Sequence, residues 1–342
     1  MFTLRQYLTT LADTHGLTRT LGEIEVCRDG KGRICYSAGN SAVVFRIRCE
    51  GRVRSLRCYM HHPRHLAEIY GEKLLPQELF IYTSPAGGVW VDVVLSDWIE
   101  GVTLHEAVAA AAETGDTARL RRFAAAFDRM AAALTADDWA HGDLKPENII
   151  VGDDGTLCPI DFDASYLPAF AGEISPELGT AAYQHPARTA ADFDERIDDY
   201  PAALISTALH ALAEDPTLWD RYGSSDGLLY TPQRIASDPA YRETLALFEK
   251  RGMAVQYRIA QLLTAPTLRL FGLAELLAEA VREKPAARSG TEAETPELFV
   301  ENGRWGYRTA ERVVVAPLYD NGFDFTEGLA AVQLGGTWHY ID

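Results

Sequence analysis

The chain has no excess of cationic side chains. Its 342 residues include 32 Lys and Arg against 49 Asp and Glu, which gives a formal net charge of −17. Proteins that bind nucleic acid neutralise its phosphates with an excess of Lys and Arg, so we expect no nucleic-acid partner. A local basic stretch, from Arg46 to Arg57, would suit a small anionic ligand, although a solvated strand face is the simpler explanation for most of these arginines.

Long apolar runs and patterned cysteines are also missing. No run approaches the roughly 20 apolar residues of a membrane span, and the first residues lack the apolar centre of a signal peptide. The 5 cysteines form no C-x-x-C pair and are irregularly spaced, which favours neither a disulfide framework nor a zinc site. We therefore expect a cytoplasmic protein with no membrane partner, in which the cysteines are small buried apolar residues.

Hydrophobic spacing and composition divide the chain into five predicted segments. They are an N-terminal helix in 1–16, a strand-rich region over 17–96, a mainly helical region over 97–282, a polar linker over 283–296 and a β-rich segment over 297–342. Within the strand-rich region the patterns predict strands at 42–47, 53–59, 79–83 and 89–95 and one long helix over 63–75. The helical region is interrupted by a predicted hairpin over 149–160.

The residues with the clearest chemistry lie on either side of that hairpin. HGDLKPEN occupies 141–148, and Ile160-Asp161-Phe162-Asp163 closes the hairpin. Phosphoryl transfer needs a carboxylate near the attacking hydroxyl, cations on the phosphates and oxygen ligands for Mg²⁺. Asp143 is the candidate base, Lys145 is placed to reach the γ-phosphate, and Asn148 and Asp161 are the candidate metal ligands. The alternative is an acidic turn flanked by helix caps.

These motifs resemble those of protein kinases. HGDLKPENIIV resembles the catalytic loop and IDFD the magnesium-binding DFG motif, while GTAAYQHP, over 179–186, resembles the end of an activation segment. In ERIDDY, Asp198 matches the aspartate that binds the backbone of the catalytic loop. The resemblance, to a group of bacterial kinase-like proteins, covers roughly residues 17–282. It implies a two-lobed α+β protein-kinase-like fold with ATP and Mg²⁺ bound between the lobes.

The same resemblance implies further nucleotide-binding residues in the N-terminal lobe. The stretch from Ser37 to Val44 has the spacing of a glycine-rich loop, with small residues at the glycine positions, and Arg57 stands where kinases have the lysine of the third strand. Glu72, with Glu68 as the second choice, matches the helix carboxylate that pairs with this cation. The implied nucleotide-binding set is Ser37, Gly39, Asn40, Ala42, Val44, Arg57, Glu72 and, at the hinge that meets the adenine, Asp97 and Ile99.

Three positions depart from the kinase pattern. Gly142 replaces an arginine that in many kinases binds an activation-loop phosphate, which suggests activity independent of such phosphorylation. Asp163 replaces the glycine of the DFG motif, and Ala187 replaces the glutamate of the APE motif. None of these changes removes a group that the resemblance places on ATP or Mg²⁺.

The last segment resembles a WG repeat. Gly303-Arg304-Trp305-Gly306-Tyr307 begins one repeat, and Trp338 marks the start of a second. Repeats of this kind form small stacked β units. Exposed Trp and Tyr side chains would allow the segment to bind a protein partner, but such side chains more often belong to a core.

The favoured function is transfer of the γ-phosphate of ATP to a Ser or Thr hydroxyl of a protein substrate. One alternative is a small-molecule kinase of the aminoglycoside type, which also uses HGD; the stretch 161–186, which resembles a segment that docks polypeptide, opposes it. The other is a pseudokinase that binds nucleotide or acts as a scaffold presenting the WG segment. Arg57 and the glycine-poor loop favour the pseudokinase, whereas Asp143, Asn148 and Asp161 oppose it.

Overall fold

The structure is a computed structural model that describes most of the chain. The described residues are 1–39, 41–84, 87–282, 296–301, 303–309, 312–324, 330–335 and 337–341, with backbone only for 337–340. The chain forms two compact units, Met1–Glu283 and Lys284–Asp342. The predicted linker 283–296 lies outside the described residues, except for its last residue. The architecture is α+β, as predicted.

The N-terminal part of the first unit contains an antiparallel sheet. Its strands are β1 Glu25–Val26, β2 Tyr36–Ala38, β3 Ala42–Cys49, β4 Arg52–Tyr59, β5 Leu74–Ser84 and β6 Gly87–Asp97. The order is β1-β3-β4-β6-β5, and β2 also pairs with β3. Strands β3 and β4 are joined by the two-residue turn Glu50-Gly51, where both residues have positive φ. Such a turn matches the twist of a hairpin and fixes its register.

Helix α1, Leu4–Ala12, covers this sheet. It lies within the predicted segment 1–16 and begins at Leu4, because Thr3 and Gln6 form a capping box at its N-terminus. Tyr7 is fully buried, and its hydroxyl donates to the carbonyl of Tyr59 at 2.5 Å. The helix packs against β5 and β1 and is tied by this hydrogen bond to β4, the strand that carries Arg57.

The predicted long helix over 63–75 is wrong. Helix α2, Leu66–Tyr70, is only five residues long and leads into a 3₁₀ turn, Gly71–Lys73. Gly71 has a φ of 52°, which ends the helix, and Leu74 and Leu75 already pair with β6. The apolar side chains that suggested a longer helix instead begin strand β5, where Leu74 and Leu75 pair with Val94 and Val93 of β6.

The remainder of the first unit is mainly helical. Its helices are α3 Leu104–Glu113, α4 Thr117–Ala136, α5 Asp199–Glu214, α6 Thr217–Tyr222, α7 Pro239–Arg251, α8 Ala254–Leu262 and α9 Leu273–Arg282. Helix α5 is buried along nearly all its length and packs against α4 and α8. Three short strands, β7 Val102–Thr103, β8 Ile149–Val151 and β9 Leu157–Pro159, form a separate small sheet. Its β8–β9 hairpin is the one predicted over 149–160.

The second unit consists of short antiparallel strands. They are β10 Glu297–Glu301, β11 Arg304–Arg308, β12 Val313–Tyr319, β13 Asn321–Gly322, β14 Ala330–Leu334 and β15 Thr337–Ile341. The first three form one sheet and the last three another. Tyr307 is buried between Leu298 and Val332, and its hydroxyl donates to the carbonyl of Phe323 at 2.7 Å. Tyr307 is thus a core residue of this unit, as the alternative to partner binding predicts.

All five cysteines are free, and Cys49 and Cys58 are buried while the other three are partly buried. Across the described ranges, no helix has both the length and the apolar character needed to cross a bilayer.

The first residue of α5 makes the stability of the first unit depend on pH. Asp199 is buried, and the backbone N–H of Leu270 donates to its Oδ2 at 3.0 Å. Burial raises the pKa of Asp199 from 3.8 to about 6. The folded state therefore binds this proton more tightly than the unfolded state, so the contribution of Asp199 to stability is lost as the pH rises from about 4 through about 6.

We expect Asp199→Asn, which resembles the protonated carboxyl, to stabilise the protein at pH 7 by up to about 3 kcal/mol and to have little effect at pH 4. Urea unfolding at both pH values measures the difference, with the exposed change Asp220→Asn on α6 as the control. Equal effects of Asp199→Asn at the two pH values would contradict the prediction.

Candidate functional site

A buried carboxylate fixes the loop that carries HGDLKPEN. The backbone N–H groups of His141 and Gly142 both donate to Asp198, the latter at 3.1 Å. Asp198 is fully enclosed at the N-terminus of α5; burial raises its pKa, whereas His141 and the two N–H donors oppose that rise. The role expected of Asp198 from the sequence, binding of the loop backbone, is therefore present in the structure.

Gly142 is required by the path of this loop. Its φ is +80°, and a Cβ at this position would lie 2.0 Å from the carbonyl oxygen of Ala164. The Nη1 of Arg188 donates to the Gly142 carbonyl at 3.0 Å. The position that holds an arginine in many kinases therefore has no room here for any side chain.

Asp143 lies at the centre of a small polar network. The backbone N–H of Thr180 donates to its Oδ1 at 2.5 Å, while the Lys145 ammonium and the Asn148 amide reach its Oδ2 at 3.0 and 3.2 Å. Burial would raise the pKa of Asp143, but the charge of Lys145 and the hydrogen bonds from Lys145 and Thr180 outweigh burial and lower it. The carboxylate is thus ionised and held in a fixed orientation.

Asn148 connects this network to Asp161. Its side-chain Nδ2 donates to the backbone carbonyl of Asp143 at 2.9 Å. Its backbone carbonyl accepts from the N–H of Ile160 at 2.9 Å. The Ile160 carbonyl bonds to the ring Nε2 of His141 at 2.8 Å. The loop therefore holds both the N–H and the carbonyl of Ile160. The next residue, Asp161, is in this way placed near Asn148.

Arg57 reaches this region from strand β4. Its Nη2 pairs with the carboxylates of Asp161 and Asp163, the second at 2.6 Å. Among the described residues it makes no ion pair with Glu72, which is exposed in the 3₁₀ turn after α2. The predicted Arg57–Glu72 pair is therefore wrong, because the helix that would have presented Glu72 ends too early.

The predicted glycine-rich loop is the β2–β3 turn. Gly39 donates its N–H to the Ala42 carbonyl at 2.9 Å, Ser37 pairs with Val44, and Val44 pairs in turn with Arg57 on β4. Asn40 lies outside the described residues. The loop and the cation thus occupy neighbouring strands of one sheet.

The predicted hinge residues lie at the end of the same sheet. Asp97 ends β6 with its side chain 85% exposed and 3.3 Å from Arg54, and Ile99 is partly buried two residues later. The structure therefore brings together Asp143, Lys145 and Asn148, and joins Arg57 to Asp161. It leaves Glu72 apart from Arg57.

The sequence did not predict that Tyr59 and Tyr70 belong to this site. Both phenol hydroxyls donate to Oδ1 of Asp163, at 3.0 and 2.6 Å. A signal existed for Tyr59, which follows Arg57 by two residues on a strand and so shares its face. No such signal existed for Tyr70, because the predicted helix over 63–75 gave this residue no relation to Arg57 or Asp163.

The donor set suits Mg²⁺. In the described part of the chain no three His, Cys, Asp or Glu side chains form a ready-made metal cluster. Mg²⁺, however, is usually bound by one or two protein oxygens together with phosphate oxygens and waters. Asp161 offers a carboxylate, and no described residue donates to Oδ1 of Asn148. The negative charge of the site also affects Glu177. Burial raises the pKa of Glu177, and the nearby carboxylates of Asp163, Asp161 and Asp143 raise it further.

The close approach at Gly142 generates a prediction with a matched control. Gly155, in the β8–β9 turn, also has a φ of +80°, but a Cβ there would meet nothing within 4 Å. Gly155→Ala should cost about 1–2 kcal/mol from its backbone conformation alone, whereas Gly142→Ala should cost roughly 3 kcal/mol or more because of the added clash. Denaturant unfolding of both variants measures the difference, and equal losses would show that the loop relaxes around the new methyl group.

Comparison with known proteins identifies one part of the chain. The family model described as "WG containing repeat" matches residues 308–338, within the second unit. The predicted WG-repeat segment is thereby confirmed over that range. No curated protein matches the chain.

Proposed function

We propose that the first unit is a Mg²⁺-dependent phosphotransferase that moves the γ-phosphate of ATP to a Ser or Thr hydroxyl of a protein. The observation that carries the proposal is the network around Asp143, in which Lys145, Asn148 and Thr180 all contact one carboxylate. A protein-kinase-like arrangement of the two lobes accounts for this network, and also for an arginine that reaches Asp161 from the third strand of the hairpin series β2–β3–β4.

Each of these residues has a specific task in the proposed reaction. Mg²⁺ and ATP, when bound, supply the transferable phosphoryl group and neutralise its charge. Asp143 orients the acceptor hydroxyl and takes its proton, for which it must be ionised, as its lowered pKa provides. Lys145, 3.0 Å from Asp143, stabilises negative charge as it develops on the transferred group. Asn148 and Asp161 hold the metal, and Arg57 binds phosphate oxygens.

The segment after Asp163 favours a polypeptide substrate over a small molecule. Thr180 contacts both Asp143, through its N–H, and Lys145, through its hydroxyl at 2.7 Å. The chain just before the YQHP motif therefore lies against the proposed base, where it would also contact the residues flanking an acceptor hydroxyl. Free cysteines fit a reducing compartment, and we place the protein in the cytoplasm.

A pseudokinase is the second candidate. It is favoured by the ion pair between Arg57 and Asp161, because that pair occupies a carboxylate that the metal needs. In this alternative the first unit binds nucleotide or acts as a scaffold, and the WG-repeat unit binds a protein partner.

ATP binding is the first test. We expect ATP with Mg²⁺ or Mn²⁺ to raise the melting temperature of the full chain, and ATP with EDTA to leave it unchanged, because the cation joins the phosphates to Asn148 and Asp161. No stabilisation by millimolar nucleotide with either metal would contradict both the enzyme and the nucleotide-binding alternative.

Two substitutions then separate binding from chemistry. Asp143→Asn should lower phosphate transfer at least about a hundredfold with ATP affinity nearly unchanged, whereas Asp161→Asn should weaken both. Transfer of labelled phosphate to the protein itself and to generic protein substrates is the measurement, and Asp153→Asn, in the exposed β8–β9 turn, is the control. ATP binding by wild type without transfer to any acceptor would favour the pseudokinase.

A further inference from the structure

Asp163 is the most completely bonded carboxylate of the proposed site. Its side chain is 4% exposed, and four hydrogen bonds end on it. Oδ2 accepts from Nε and Nη2 of Arg57 at 3.1 and 2.6 Å, and Oδ1 accepts from the hydroxyls of Tyr59 and Tyr70 at 3.0 and 2.6 Å. Buried carboxylates with a full set of donors have a fixed geometry, because any movement breaks several charge-assisted bonds together.

We propose that Asp163 is the positioning residue for Arg57, in the place that the resemblance gave to a helix carboxylate. The inference rests on the proposed function, since it takes Arg57 as the cation that binds phosphate. Two of the three guanidinium nitrogens bond to Asp163, and Nη1 bonds to no described residue. Nη1 is therefore the donor available to a phosphate oxygen while Nε and Nη2 remain on Asp163.

Asp163 and Asp161 have different tasks in this arrangement. The Asp161 side chain is 39% exposed, so it can exchange Arg57 for a metal ion and water. Asp163 is enclosed and keeps Arg57 in the cleft during that exchange. Without Asp163, Arg57 would pair with Asp161 alone and compete directly with the metal for the same carboxylate.

The two phenols keep Asp163 in place. Burial is the main cause that raises the pKa of Tyr59 and Tyr70 above the ordinary value, and the charge of Asp163 adds to it. Both phenols are therefore protonated donors at every physiological pH. Tyr70 is the last residue of α2, and the N-cap residue of that helix makes a second contact, because His65 lies 2.9 Å from Glu173. Tyr70 and His65 thus connect α2 and its N-cap to Asp163 and to the segment after it.

The test compares Asp163→Asn with Glu72→Gln in the full chain. Asp163→Asn should raise the KM for ATP roughly tenfold or more, because the neutral amide no longer orients the guanidinium. It should also raise the Mg²⁺ concentration needed for half-maximal activity, a change that a purely structural role would not produce. Glu72→Gln should leave both values unchanged. If Asp163→Asn has wild-type values for both, or if Glu72→Gln raises the KM for ATP, the inference is wrong.

A double-mutant cycle checks the pairing itself. Arg57→Ala and Asp163→Asn should raise the KM for ATP less together than the product of their separate effects, because both remove the same contact. Should Asp163→Asn fail to fold, Tyr70→Phe replaces it; removal of one of the four bonds should raise the KM for ATP by about twofold to tenfold, and no change would contradict the inference.

The outcomes separate this inference from the proposed function. If wild type neither binds ATP with Mg²⁺ nor transfers phosphate, the proposed function fails. The pairing is then measured by denaturant unfolding, where the same cycle should still show coupling between Arg57 and Asp163. If wild type transfers phosphate and the cycle in KM is additive, the inference fails while the proposed function stands.

Discussion

The proposed site depends on two backbone N–H groups that end on one buried carboxylate. His141 and Gly142 donate to Asp198, which is fixed at the start of the most deeply buried helix of the first unit. Loops are usually among the more mobile parts of a protein, and this loop carries Asp143, which we propose as the base. Its attachment to α5 gives Asp143 the rigidity of the helical core. The contacts of Asn148 with Asp143, and of Ile160 with Asn148, extend that rigidity to Asp161.

Departures from the kinase pattern have local physical causes here. The loop passes so close to Ala164 that position 142 has no room for a Cβ, so the arginine that many kinases have at the matching position is sterically excluded. An aspartate at 163 would be costly if buried alone, yet here it accepts bonds from Arg57 and two phenols. In the proposed arrangement this carboxylate takes the place of a helix glutamate, and Glu72 is exposed.

The strands, the HGDLKPEN loop and its attachment to Asp198 were predictable because they depend on local patterns. Alternating apolar residues marked β3 and β4, and HGDLKPEN and IDDY carry enough chemistry to identify their positions. The end of helix α2 was not predictable, because Leu74 and Leu75 fit either a helix face or a paired strand. Their pairing with β6, which is distant in sequence, selects the strand. The partners of Asp163 were missed for a related reason. Tyr59 and Tyr70 lie about a hundred residues earlier, and no local pattern reports a contact at that distance.

The tight turn between β3 and β4 has no chemical group that the site uses, yet it determines where Arg57 points. Side chains alternate between the two faces of a strand, so a shift of one residue in pairing would turn Arg57 away from Asp163 and toward the face that buries Leu56 and Cys58 in the apolar core. Insertion or deletion of a single residue at Glu50-Gly51 would have this effect without changing any residue of the site. Surface turns normally tolerate changes in length during evolution. At this turn such changes would be excluded, unless two residues are inserted or deleted together so that each side chain keeps its face.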